Sequence, residues 1–394
     1  MNNNNIYVGI TGVGKCLGEM EVSNQEVAEV IIGVNKNKKY RSVGSAKLTP
    51  EELKAVSTDD QWMRDRSGIE SRYYSQLPTS KLAAEAAKLA LENSGRNKHD
   101  CQFIIVATVS PDFLYSPPTA CLVHRELGLK VRNQLGLENC LVVDTSSACT
   151  SFGSALTLGY SLIKSGLYKF GLVIGADKMS STVDLGDRSF SFLMGDAAGA
   201  FVLERVESET LDSFPWGANS FFCGTDPSGA DKIKAPAGGS ARPLTLSLLA
   251  KAETCVNKTR PDKLWQDGKA VFKDIINLIS NPGVPAEEIV VGKALSRAGV
   301  NLSDVDMIFP HQANLRISEA IADNLIKRGF RGKVYDTIQK YGNTTSAAVP
   351  LGVAEAWESG ELKKRMTIML LPFGGDYSFT SILVRWTVDI PCPV

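Results

Sequence analysis

Three side chains in this sequence have the chemistry of a reaction centre: the thiol of Cys149, the imidazole of His311 and the carboxamide of Asn343. Cys149 lies in DTSSACTSF, residues 144–152. The apolar run Leu141-Val142-Val143 ahead of it reads as a buried strand. Beyond it Ala148, Phe152, Ala155, Leu156 and Leu162 recur at helical spacing until Ser165-Gly166 stops the run. Cys149 is therefore expected where a strand becomes a helix, among residues small enough to admit a substrate. Backbone N–H groups at a helix start favour a thiolate and can hold an oxyanion. The thiol reads as a nucleophile rather than core filler.

Asn343 opens a second stretch of the same design. The interval from Cys149 to Gly166 equals the interval from Asn343 to Gly360, and both end in Ser-Gly. An apolar strand follows each, FGLVIGA and MTIMLLPFGG. Ahead of each lies an apolar strand with a polar exit, FIIVATVSP in one half and MIFPHQA, with His311, in the other. Strand, helix and strand repeated at one helix length predict a duplicated α/β unit, with halves 1–208 and 209–394. Pseudo-twofold symmetry would set the two helix starts face to face, bringing Cys149 to Asn343. His311 would join them from a third strand end, where groups in α/β folds commonly gather.

The remaining elements must hold that arrangement. Ile6–Ile10 reads as a strand ending in a turn at Gly12 and Gly14, and Ser23-Asn24 as the cap of a short helix over 25–32. Residues 33–58 are polar, basic and weakly periodic, and read as a surface insertion with one helical turn at Pro50–Leu53. Residues 59–74 put arginines beside Trp62, either a solvated face or a platform for a ligand with a flat ring and phosphates. Thr79–Ser94 is an amphipathic helix closed by Gly95, and Phe103–Thr108 a strand covered on both faces. A proline-bearing loop at 110–118 leads to a helix at 119–127, where His124 reads as a surface or capping residue. Residues 207–262 read as an irregular join between the halves.

Composition limits the alternatives. Lysine plus arginine equals aspartate plus glutamate, 43 each, so no global field recruits nucleic acid or an anionic membrane. The eight cysteines form no CxxC pair, and with three histidines no standard zinc spacing arises. Scattered thiols and no charged-then-apolar leader point to a reducing cytoplasm. No apolar run approaches the ~18–20 residues that span a bilayer.

Taken together, DTSSACTSF, GDAAGA at 195–200, PHQANLRI at 310–317, YGNTTSAAVPL at 341–351 and FGGDYSFTSILVRW at 373–386 resemble the thiolase-like condensing enzymes, and among them the β-ketoacyl-[acyl-carrier-protein] synthase III family. The resemblance covers nearly the whole chain except 33–58 and parts of 207–262. It implies a layered α-β-α-β-α fold of two thiolase-like halves, and a helix from about 263 to 278. It implies that Cys149 accepts an acyl group from a thioester while the N–H groups of Cys149 and Gly375 hold the oxyanion. His311 and Asn343 would then donate hydrogen bonds to a malonyl thioester and stabilise the enolate left when carbon dioxide departs. Trp62, Arg66, Phe272, Lys273 and Arg316 match positions that bind the acyl donor or its carrier. No cofactor is implied beyond thioester substrates; a homodimer and an acyl-carrier protein are the implied partners.

The sequence departs from the family at several points. Ser181 stands where an arginine often completes an adenine sandwich with the tryptophan, which favours a carrier-protein donor over coenzyme A. Asp323 and Asn324 replace two docking lysines, while Lys327, Arg328, Arg331 and Lys333 form either a docking patch or a solvated basic face just beyond. Lys269 replaces an asparagine near the gate, and Asp376 a glycine beside the oxyanion loop. A degradative thiolase would need a second cysteine in the C-terminal glycine loop, where this chain has Gly374-Gly375-Asp376. An acyltransferase of the same fold that works without decarboxylation, and a silent partner subunit, are the competing functions.

Overall fold

In a computed structural model, which describes residues 6–129, 140–206 and 219–389, the apolar runs assemble into two five-stranded sheets. The first contains, side by side, β1 (Tyr7–Leu17), β7 (Asp196–Val206), β6 (Phe170–Lys178), β4 (Phe103–Ala107) and β5 (Leu141–Thr145). The second contains β8 (Asn219–Thr225), β14 (Ser378–Arg385), β13 (Thr367–Leu371), β11 (Met307–Pro310) and β12 (Lys333–Val334). In each sheet the first two pairings are antiparallel and the last two parallel. The halves thus share strand order and direction. The expected division at 208/209 lies outside the described residues.

Helices α4 (Thr79–Ser94) and α5 (Thr119–Glu126) pack their apolar faces on the first sheet. Helices α8 (Gly268–Ser280), α9 (Val290–Ala298) and α10 (Leu315–Lys327) do the same on the second. Between the sheets lie α6 (Ser151–Lys164) and α12 (Ala348–Glu358), in a core that joins Phe152 and Leu156 to Phe309, Val353 and Trp386. This is the expected five-layer order. The other elements, α1 (Asn24–Val43), α2 (Pro50–Val56), α3 (Asp60–Ser67), α7 (Leu246–Thr254), α11 (Ile338–Tyr341) and the paired strands β2 (Met20–Ser23) with β3 (Ser71–Tyr74) and β9 (Ile233–Lys234) with β10 (Trp265–Gln266), lie outside the two large sheets.

Several expectations are corrected. Gly12 and Gly14 make no turn but continue β1. A Cβ at Gly12 would lie 2.2 Å from the Ala90 carbonyl oxygen and one at Gly14 2.3 Å from that of Ala86, so glycine lets α4 rest on the strand backbone. Residues 33–58 are only partly the expected surface excursion: residues 41–47 are exposed and a helix starts at Pro50, but α1 continues to Val43 from its Ser23 capping box. Its polar residues conceal burial: Asn35 donates to the Ile31 and Gly186 carbonyls, and Lys38 pairs with Asp184 at 2.8 Å with both side chains buried. Strand β5 is a sheet edge rather than a buried strand, and Leu141 is 38% exposed. The helix expected from 263 begins at Gly268, where Asp267 caps it through the Ala270 N–H and Trp265-Gln266 are taken up by β10. In the second half residues 345–347 form a 3₁₀ turn, which delays α12 to Ala348.

Candidate active site

Cys149 sits on a stitched turn between β5 and α6. Ala148 has φ +48°, the Thr150 N–H donates to the Ser147 carbonyl at 3.0 Å, and the Ser151 N–H to the Ala148 carbonyl at 3.2 Å. Ser151 Oγ accepts from the Ser147 N–H at 2.8 Å and donates to the Ala148 carbonyl at 2.6 Å. Small hydroxyl residues therefore close the turn without covering the thiol.

His311 extends the β11–β13 ladder, its N–H donating to the Leu371 carbonyl at 3.0 Å. Its ring meets Phe373 edge to face at 5.4 Å. The next residue, Gln312, is a buried clasp: Nε2 donates to the Pro310 and Tyr335 carbonyls, and Oε1 accepts from the Thr337 and Ile338 N–H groups. Burial holds the His311 pKa down at about 3, so the ring is neutral. Asn343 is fixed by the opposite half. Its N–H donates to the Leu193 carbonyl at 2.7 Å, and its carbonyl accepts from the Gly195 N–H at 3.1 Å. Its Oδ1 accepts from the Thr345 N–H at 3.0 Å, which leaves Nδ2 as the donor for a ligand.

Cys149, His311, Asn343 and Gly375 line a single cavity with about 700 Å³ of empty space, solvent at its mouth included. The rest of the wall is mostly apolar, with Met179, Phe190, Met194, Leu264 and Ile275 among its residues, and among the described residues no Lys, Arg, Asp or Glu lines it. Sequence pattern thus brought together Cys149, His311 and Asn343, and the family resemblance added Gly375, all of which line this one cavity. The expectation of a thiolate needs correction. Burial pushes the Cys149 thiol up, the charges of Asp376 and Asp177 add to it, and the N–H groups of Gly375 and Cys149 only partly oppose them. Removal from water outweighs the helix start. The resting Cys149 side chain is a neutral thiol.

The expected donor residues lie outside the cavity wall. Trp62 and Arg66 are on α3, Phe272 and Lys273 on α8, and Arg316 on α10, with Arg66, Phe272, Lys273 and Arg316 exposed. The helices are joined near these residues: Asn314 Nδ2 donates to the Arg66 carbonyl at 2.8 Å, and Val271, Ile275 and Ile317 of α8 and α10 line the cavity. Arg328 is not a free docking cation, since its guanidinium donates to the Asn281 and Val284 carbonyls. Sequence reading missed Arg188, whose guanidinium carbon lies 5.0 Å from the centre of the Trp62 ring, with that of Arg66 at 4.4 Å. Carbonyls of Lys54 and Ser57, in and just after α2, hold Arg188 there. A contact across so many residues leaves no local signal.

Two family models match, the 3-oxoacyl-[acyl-carrier-protein] synthase III model over residues 143–220 and its C-terminal model over 295–386. The chain is 36% identical over 335 residues to the β-ketoacyl-[acyl-carrier-protein] synthase III of Fusobacterium nucleatum, covering 84% of this chain and 92% of that protein. Its structure superposes on 3-oxoacyl-(acyl carrier protein) synthase III of Pseudomonas aeruginosa PAO1 with a TM-score of 0.75, 29% identity and coverage of 98% and 100%. It also resembles the priming β-ketosynthase of the R1128 polyketide biosynthetic pathway, at TM-score 0.74, 25% identity and 98% coverage of each chain. Fold and site define a thiolase-like condensing enzyme. The chain belongs to the β-ketoacyl-[acyl-carrier-protein] synthase III family, with a condensing function in fatty-acid or polyketide synthesis.

Proposed function

We propose that Cys149 attacks the carbonyl carbon of an acyl thioester, forms a new carbon–sulfur bond, and passes its proton to the departing thiol. The N–H groups of Cys149 and Gly375 would receive the negative charge on the oxygen. A malonyl thioester then loses its carboxylate as carbon dioxide, and the electron pair of the broken bond becomes an enolate whose oxygen accepts hydrogen bonds from His311 and Asn343. The enolate carbon attacks the acyl-enzyme, and Cys149 leaves and recovers a proton. The observation that carries this reading is a neutral imidazole and a carboxamide lining the cavity of a buried thiol. Neutral donors suit an enolate made by decarboxylation, which needs no proton abstraction.

The proposed donor is a thioester on an acyl-carrier protein, with no cofactor besides the substrates. The exposed Lys273 and Arg316 support such a docking face, being on helices that also line the cavity. A homodimer is proposed as the working form: β5 leaves a sheet edge open, and Phe113, Leu114 and Tyr115 are 55%, 80% and 87% exposed. Intact mass after incubation with acyl-carrier-protein and coenzyme A donors tests the first step. Wild type should gain one acyl mass that Cys149→Ala lacks, and an adduct persisting in the variant would sink the nucleophile assignment. Release of carbon dioxide from a malonyl substrate during turnover separates condensation from simple acyl transfer.

A further inference from the structure

The loop that carries Gly375 is built unusually. The Gly374 N–H donates to the Ser378 carbonyl and the Tyr377 N–H to the Gly374 carbonyl, both at 2.9 Å, closing a tight turn with Tyr377 at φ +56°. The Asp376 carboxylate folds back inside this turn. Its Oδ1 accepts from Ser378 Oγ at 2.7 Å and lies 2.3 Å from where a Cβ on Gly374 would stand, so only glycine leaves it room. Thr150, which follows the nucleophile directly, gives its hydroxyl hydrogen chiefly to the Ser147 carbonyl at 2.6 Å and shares it with Ser378 Oγ at 2.9 Å. Close polar contacts therefore run from the residue after Gly375, through Ser378, to the residue after Cys149 and on to the Ser147 carbonyl of the same turn.

We propose that Asp376 is a positioning residue: it holds the Gly375 loop against the Cys149 turn through Ser378 and Thr150, fixing the two oxyanion donors relative to each other. This rests on the reading of Cys149 as the acylated residue. Two carboxylates act on the thiol, Asp376 from the loop and Asp177 from the end of β6. Asp177 is occupied by Thr108, Val109, Ser110 and Ser346 donors, His311 is neutral, and among the described residues no Lys or Arg lines the cavity to offset either acid. Asp376 therefore orders the site and adds to the burial that keeps the thiol protonated.

The test compares Asp376→Asn, which keeps an oxygen acceptor for Ser378 and loses the charge, with Asp376→Ala, which loses both. Iodoacetamide alkylation of Cys149, followed by peptide mass from pH 7 to 10, should be faster in Asp376→Asn at every pH, by about tenfold for each unit its thiol pKa falls. Single-turnover acylation should fall on the order of tenfold or more in Asp376→Ala with little change in donor affinity, as expected when oxyanion donors are displaced. An Asp376→Asn profile that superimposes on wild type overturns the charge, and wild-type acylation by a folded Asp376→Ala overturns the positioning. Absence of any adduct on wild-type Cys149 would instead reject the function from which this inference starts.

Discussion

The two halves share one strand order but present their key residues in opposite ways. In the first, Cys149 stands two residues before α6, and the turn draws its bonds from Thr150 and Ser151, leaving the Cys149 N–H out of them. In the second, both backbone groups of Asn343 are consumed by Leu193 and Gly195, and the helix waits until Ala348. The difference matches the role proposed for each residue. The proposed oxyanion donor at Cys149 needs a free backbone N–H, which a helix start provides, whereas the proposed enolate donor at Asn343 needs a free side-chain amide on an immobile backbone. The duplicated frame supplies two equivalent places, and local hydrogen bonding decides which group of the residue faces the ligand.

The largest effect that would break this contrast is chemical. Asn343→Ala should acylate at close to the wild-type rate yet lose condensation by roughly 10²–10³-fold, the cost of one oxyanion-type donor. Radiolabelled acyl-enzyme and carbon dioxide release measure the two steps separately, and equal losses in both would refute the division between halves. A structural counterpart is Gly195, where a Cβ would lie 2.1 Å from the Tyr341 carbonyl oxygen. Gly195→Ala should lower stability by about 1–3 kcal/mol in urea unfolding, as overpacking does, and reduce condensation more than acylation because Gly195 anchors Asn343.

Acidity gives a smaller and graded effect. The folded pKa of His311 is held near 3, below the ordinary 6.5. As pH falls from about 6.5 toward 3, the unfolded chain binds a proton that the folded chain refuses, so this stability is complete above 6.5 and declines below it. Urea midpoints measured across that window should fall less steeply for His311→Asn than for wild type. The smallest change belongs to the exposed charges. Lys273→Ala and Arg316→Ala should each raise KM for a carrier-protein donor by about a few-fold, with the difference shrinking at high salt, and leave a small thioester donor unaffected.

Legibility followed how local each signal was. The boundaries of α4, the strand–turn–helix around Cys149 and the parallel between Cys149 and Asn343 were readable because period, caps and small-residue runs are encoded within a few residues. The reach of α1 was hidden because Asn35 and Lys38 look solvent-facing until Gly186 and Asp184, far along the chain, satisfy them. Arg188 over Trp62 was hidden for the same reason.

By itself, the sequence determined the residue types of the site, the repeated strand–helix–strand frame and the family, since these depend on pattern and composition. Tertiary structure alone decided the state of those residues. Enclosure by apolar walls keeps His311 neutral, and burial with Asp376 and Asp177 keeps Cys149 a thiol. Proton affinity depends on distance to water and to other charges, and folding sets both distances between residues remote in the chain.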